Sequence, residues 1–175
     1  MENRKYAFTW SMVGDADLGR PNLGAMVRVE AHRLVLYSLR DLLEEKLGTN
    51  QCDELYKEVG KRTGTTFYEL CCGHTSTFED FTESLIYAFR YMGIGMFEIE
   101  AVGIGAWSFL VTISEDLARS GVEDMSNNSC IYYEGFLAGL FEAFAHMEFD
   151  VQTLHCWTRT ESACRFSVEA IIPTE

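Results

Sequence analysis

CIYYEGFLAGLFEAFAHM (Cys130–Met147) and HCWTRTESACRFSV (His155–Val168) carry two different periodicities within one short stretch. In the first segment Tyr133, Phe136, Leu137, Leu140, Phe144 and Met147 recur at helical spacing, which predicts a helix with a broad apolar stripe. In the second, Cys164, Phe166, Val168 and Ala170 alternate with Arg165, Ser167 and Glu169, the signature of a strand with one buried face. Folding the chain back near Thr160 sets Cys156 across from Cys164, within reach of cross-strand contact. The stretch is therefore a helix followed by a β-hairpin, and the rest of the chain reads as packing around it.

Three cysteines mark this unit. Ser126, Asn127, Asn128 and Ser129 are good helix N-caps, so Cys130 falls in a first helical turn, where the helix dipole favours a thiolate. Three thiolates from two elements could hold one zinc ion. The same spacing also suits plain buried thiols, and it is no generic zinc signature. A Cys156–Cys164 disulfide is disfavoured if the compartment is reducing.

From Cys130 to Val168 the chain resembles the 4-vinyl reductase domain family, also found as the sensor domain of aromatic-responsive, enhancer-dependent transcription activators. More distantly it resembles the Golgi trafficking-particle subunits. The resemblance rests on the Cys130 opening, on YYEGFLAGLFEAF, and on the C-x7-C-R-F-x-V ending. Upstream, GRPNLGAMVRVEAHRLVLYSLRDLLEE and KEVGKRTG are also similar to family members, so most of the chain is covered.

The resemblance implies an α+β fold, an antiparallel sheet packed against a helical layer, of the NO-signalling and Golgi-transport ligand-binding type. It also implies a homodimer and a structural zinc beside a buried apolar pocket. The zinc cysteines of the sensor branch carry over to Cys130, Cys156 and Cys164. The glutamate expected three residues before the second cysteine is Thr153 here. Water, His155 or a group from elsewhere is left to fill that position, or the metal is absent. His155 adjoins Cys156 and so points to the opposite face of a regular strand.

Length and charge bound the rest. A chain of 175 residues, 47% hydrophobic, supports one domain spanning 1–175 with a proper core. Twenty-seven acidic against 14 basic residues give a net charge of -13, which opposes nucleic acid or an anionic membrane as a partner. MENRKYAFTW has no signal-peptide core, and no window has the ~18 uninterrupted apolar residues of a spanning helix. A cytoplasmic protein with reduced cysteines is the expectation.

Along the chain, Tyr6, Phe8, Trp10 and Met12 alternate with polar or small residues and suggest a strand or an extended arm. A helix is expected over Met26–Leu47, with Val29, Leu36, Leu39, Leu43 and Leu47 on its apolar face and Gly48 as its stop. His32 within it reads as an interface or core histidine. Thr49 or Asn50 then caps a helix in which Gly60 and Gly64 share a face and permit close approach of another backbone. The CCGH cluster at 71–74 invites a second metal site, but adjacent thiols project in different directions and only one easily reaches a shared ion, so it reads rather as a helix-ending turn. Ser76 and Glu79 have capping-box spacing for a third helix. GIG occurs at 93–95 and 103–105, but neither continues as a dinucleotide fingerprint. Phe97, Ile99 and Ala101, then Trp107, Phe109, Val111 and Ile113, read as a hairpin.

The function expected from these readings is binding: a homodimeric domain enclosing a small hydrophobic or aromatic molecule, with no catalytic residue. Trp107 and Phe109 from the sheet and Tyr133 and Phe136 from the helix are the expected pocket wall. Zinc would fasten the last helix to the final hairpin. The alternative is a tetrapyrrole vinyl reductase or tetrapyrrole carrier. Vinyl reduction needs a hydride source, for which the sequence shows no binding motif, so an enzyme is the weaker reading. A structural subunit that uses its surface and not its pocket is a third reading.

Overall fold

The structure, a computed structural model, describes residues 6–103, 105, 107–122 and 130–172, with only the backbone at 101 and 102. A short 3-10 turn at Trp10–Met12 and a four-residue helix α1 (Ala16–Gly19) precede α2 (Val29–Leu47), α3 (Thr49–Cys71) and α4 (Phe78–Tyr91). The strands β1 (Met96–Gly103) and β2 (Ser108–Ser114) follow, then α5 (Ile131–Ala145), β3 (Phe149–His155) and β4 (Ala163–Ala170). The expected N-cap run 126–129 lies outside the described residues.

All pairings in the four-stranded sheet are antiparallel, in the order β1-β2-β4-β3. The two hairpins join through β2 and β4, where Val111 pairs with Phe166 and Ile113 with Cys164. Phe97, Phe109, Val111, Ile113, Val151, Cys164, Phe166 and Val168 are all buried, as the alternation requires. The opposite face is polar: Thr112 donates to Glu100, and Arg165 donates twice to the same carboxylate. Helices α4 and α5 pack on the sheet, giving a two-layer α+β domain.

Helix α5 is the centre of the core. It is apolar nearly all round, and eight of its 15 residues are buried, from Tyr133 to Phe141. Its sheet side meets β3 and β4, while its other side crosses α3 at backbone contact. Two glycines from each helix make that crossing. A Cβ at Gly60 would lie 2.1 Å from Tyr132 O, and one at Gly135 1.9 Å from Lys57 O. Gly64 and Gly139 are as tightly placed, so no side chain fits at any of the four.

Several boundaries differ from the sequence reading. The N-terminal segment forms no strand among its described residues; Tyr6, Phe8, Trp10 and Met12 are exposed. Gly48, at φ +78°, ends α2 and also opens α3, so neither Thr49 nor Asn50 is the cap. Thr77, not Ser76, caps α4, its hydroxyl accepting from Asp80 N at 3.1 Å. Cys130 is itself the N-cap of α5, one residue earlier than a first-turn position.

Helix α2 stands apart. None of its 19 residues is buried, and Leu34, Val35, Leu39 and Leu42 are at least 49% exposed. Polar contacts attach it instead. Arg33 donates to Leu117 O at 2.9 Å and to Ser120 O at 2.8 Å, Tyr37 donates to Ala118 O, and Arg40 pairs with Asp53 of α3.

Candidate functional site: a thiol cluster beside an apolar cavity

The hairpin and α5 bring the three cysteines together. Cys130 Sγ lies 3.8 Å from Cys164 Sγ, and Cys156 is hydrogen-bonded to both. Cys130 and Cys164 are fully buried and Cys156 partly so. Two nitrogen donors face the sulfurs: Trp157 N to Cys164 at 3.3 Å and Arg119 Nη1 to Cys130 at 3.5 Å.

This arrangement splits the acidities of the thiols. Cys156 receives hydrogen bonds from Cys130 and Cys164, which together with the Arg119 charge hold its thiol down to about 3. Cys130, the donor, is pushed far up by those same bonds and by burial. Cys164 is drawn down by its bond with Cys130 and pushed up by its donation to Cys156 and by burial; it ends above the ordinary thiol value. The cluster therefore holds one thiolate stabilised by its two neighbours.

Among the described residues no set of three or more His, Cys, Asp or Glu side chains is arranged as a ready-made metal centre. The donor chemistry nevertheless suits zinc. Sulfurs about 2.3 Å from a tetrahedral zinc stand roughly 3.8 Å apart, the separation of Cys130 from Cys164. His155 is turned elsewhere: its Nε2 is 2.7 Å from Glu161 Oε2.

Next to the cluster is a cavity of about 420 Å³. Its floor is Phe67 of α3 with Tyr133 and Phe136 of α5, the two helix residues expected to form the wall. Trp107 and Phe109 lie elsewhere in the core, Trp107 against Phe144 and Phe109 stacked on Phe78 and 5.0 Å from Phe141. Neither lines the cavity. The far wall is α2, through His32, Leu36, Tyr37, Arg40 and Glu44. The residues at 32, 36, 40 and 44 are four apart and so form one stripe on a helix. That stripe was readable in the sequence, but its mixed polarity hid it beside the leucines.

Most polar groups around the cavity are already committed. Tyr37 donates to Ala118 O, and Tyr56 donates to Leu36 O at 3.4 Å. Arg40 pairs with Asp53 and Glu44 and lies over the Tyr56 ring. The space therefore suits a mainly apolar, uncharged guest. His32, on the exposed rim, makes no hydrogen bond or ion pair among the described residues.

A short loop joins cavity and cluster. Leu117, Ala118 and Arg119 line the cavity, and Asp116 caps their turn by accepting from Ala118 N at 2.7 Å and from Arg119 N at 3.1 Å. The CCGH cluster behaves as a turn: Cys72 is buried in the core, its thiol pushed up to about 12 by burial and by Cys71. Cys71 and His74 open instead onto a separate surface groove.

No family model matches the sequence, and no curated protein matches it. Solved structures do match in fold. The phenol-responsive sensory domain of the transcription activator PoxR, solved with phenol, is 18% identical with a TM-score of 0.62, over 83% of this chain and 76% of that one. A vinyl-4-reductase family protein from Methanocaldococcus jannaschii is 16% identical with a TM-score of 0.55, over 86% and 85%. A trafficking protein particle complex subunit 3 from Naegleria fowleri, covalently bound to palmitic acid, is 14% identical with a TM-score of 0.63, over 82% and 95%. An H-NOX protein from S. oneidensis matches at 12% identity and a TM-score of 0.56, over 87% and 78%. The fold is thus the one shared by sensory, trafficking and H-NOX domains, as the resemblance implied. Among the described residues no helix is long and apolar enough to cross a membrane.

Proposed function

We propose that this chain is a sensor domain that encloses a small hydrophobic or aromatic molecule. The observation that carries the reading is the 420 Å³ cavity between α2, α3 and α5, apolar at its floor and with most of its polar groups already paired. Support comes from the fold likeness to a sensory domain that takes phenol and to a trafficking subunit that carries palmitic acid. Both guests are largely apolar, and His32 at the rim is placed to meet a polar end.

Two further parts belong to the proposal. A second copy of the chain covers the exposed side of α2, where Val35, Leu39 and Leu42 fall at i, i+4 and i+7 beside Leu34. An uncharged apolar helix face is self-complementary, as a two-fold interface requires. Zinc, held by Cys130, Cys156 and Cys164, fastens the start of α5 to the β3–β4 hairpin. It supplies cross-linking and no reaction.

Native mass spectrometry, before and after denaturation, tests all three parts at once by reporting retained small molecule, subunit number and metal. A dimer that binds phenol or a medium-chain fatty acid, and loses it on Leu36→Trp, is the expected result. A chain that takes up neither probe and gains no thermal stability from them overturns the binding reading. A visible absorption band would favour the alternative of a tetrapyrrole carrier or vinyl reductase, which the likeness to the vinyl-4-reductase family protein supports.

A further inference from the structure

Three thiols leave one position of a tetrahedral zinc without a donor from the protein. We propose that Glu134 fills it, an inference that rests on the zinc reading above. Glu134 lies four residues after Cys130 and therefore on the same side of α5. Its carboxylate crosses to β3, where Oε1 accepts from Thr153 N at 3.1 Å and from Thr153 Oγ1 at 2.8 Å. Thr153 is the position at which the sequence was expected to carry an acid. The strand lacks the carboxylate, and the facing helix delivers one to the same place.

Position and charge agree with this role. Cys156 is three residues beyond Thr153, and the Glu134 charge bears directly on its thiol. Thr153 then becomes the outer group that orients the ligand, as hydrogen-bond donors to metal-bound carboxylates do. Three thiolates, one carboxylate and a zinc ion together leave two negative charges. Two cations stand against them: Arg119 Nη1 at 3.5 Å from Cys130 Sγ, and Lys57 Nζ at 3.2 Å from Glu134 Oε2. Buried charge is tolerable when balanced in this way.

Among the described residues Asp116 is a second carboxylate that bears on the sulfurs. Asp116 acts on Cys164 electrostatically, but it caps the 116–119 turn and also accepts the Tyr133 hydroxyl at 3.2 Å. Binding metal would undo the cap and strand buried donors. Glu134 caps no turn; its contacts are to Thr153 and Lys57, both of which a metal-bound carboxylate can keep, and its side chain is 19% exposed.

The test is zinc affinity, measured by competition with a chromogenic chelator, together with the visible spectrum of the cobalt(II)-loaded full chain. Glu134→Gln keeps the size and the Thr153 contacts; it is expected to weaken zinc binding at least tenfold and to alter the cobalt bands. Loss of an outer-shell partner alone would leave the band pattern unchanged. Glu134→Gln combined with Thr153→Glu is expected to recover both affinity and spectrum, showing that the single variant's defect is not misfolding. Asp116→Asn is expected to keep the wild-type cobalt bands. If Glu134→Gln binds zinc like the wild type while Cys164→Ser does not, the zinc reading stands and the Glu134 assignment is overturned; loss of the bands in Asp116→Asn alone has the same meaning. If the wild-type chain binds no zinc, both fail together.

Discussion

The Tyr133 hydroxyl donates to Asp116 Oδ1 at 3.2 Å, and both groups are at least 95% buried. This bond connects the cavity floor on α5 to the loop whose Arg119 touches the thiol cluster. Tyr133→Phe would leave a buried carboxyl short of a donor. The expected cost is about 1–3 kcal/mol, read as a lower urea midpoint at unchanged m-value. An unaltered midpoint would show that the bond carries no net stability.

Asp116 also sets a pH dependence. Burial, the largest influence, raises its carboxyl above the ordinary 3.8 despite the opposing backbone bonds. The folded chain thus holds this proton more tightly than the unfolded chain. Its contribution to stability is full below about pH 3.8 and is lost as pH rises through the raised native value. In Asp116→Asn the decline in that window should vanish from a plot of unfolding free energy against pH. An equal decline in the variant would place its origin elsewhere.

In the metal-free chain Cys156 should react with iodoacetamide before any other cysteine, even in mildly acid solution. Bonds from Cys130 and Cys164 hold it as the thiolate, the reactive form. Cys130 and Cys72 are buried and pushed up, so they should lag. Peptide mapping after brief labelling reads the order; earlier labelling of the half-exposed Cys71 would contradict the acidity assigned to Cys156.

Gly135→Ala places a methyl group where Lys57 O already stands. Helices α3 and α5 must then separate along their whole crossing. A loss of more than about 3 kcal/mol, or failure to accumulate folded protein, is expected. Gly105→Ala, with nothing near its Cβ, is the matched control and should change circular dichroism and melting little.

Leu34→Glu combined with Leu42→Glu puts charge on the exposed face of α2 without touching the cavity stripe. If the proposed dimer forms through this face, light scattering should give a dimer for the wild type and a monomer for the double variant. A double variant that stays dimeric would mean that another surface pairs the subunits.

The sequence made the helix, the final hairpin and the buried face of β4 legible, because Phe166 and Val168 alternate with charged or polar residues and α5 is apolar throughout. Gly60 and Gly64 announced a close approach, though not that Gly135 and Gly139 would answer them. The cavity was harder to read. Of the four residues expected in its wall, Tyr133 and Phe136 line the cavity, while Trp107 and Phe109 fill core space that alternation cannot distinguish from a wall. On α2 the expected apolar face holds both Leu36, which lines the cavity, and Leu39, which is exposed, and the wall is a stripe of mixed polarity from His32 to Glu44. Glu134 escaped notice because periodicity assigns a residue to a helix face, and its meeting with Thr153 depends on how α5 lies across β3.

Helix α2 buries no side chain in its own chain and is attached to it by polar contacts. If a second copy provides further support, dilution would loosen the wall of the chamber as well as the pair, and capture of the guest would weaken as the protein becomes scarce. Abundance of the protein would then tune its sensitivity, with no change at any residue that touches the ligand.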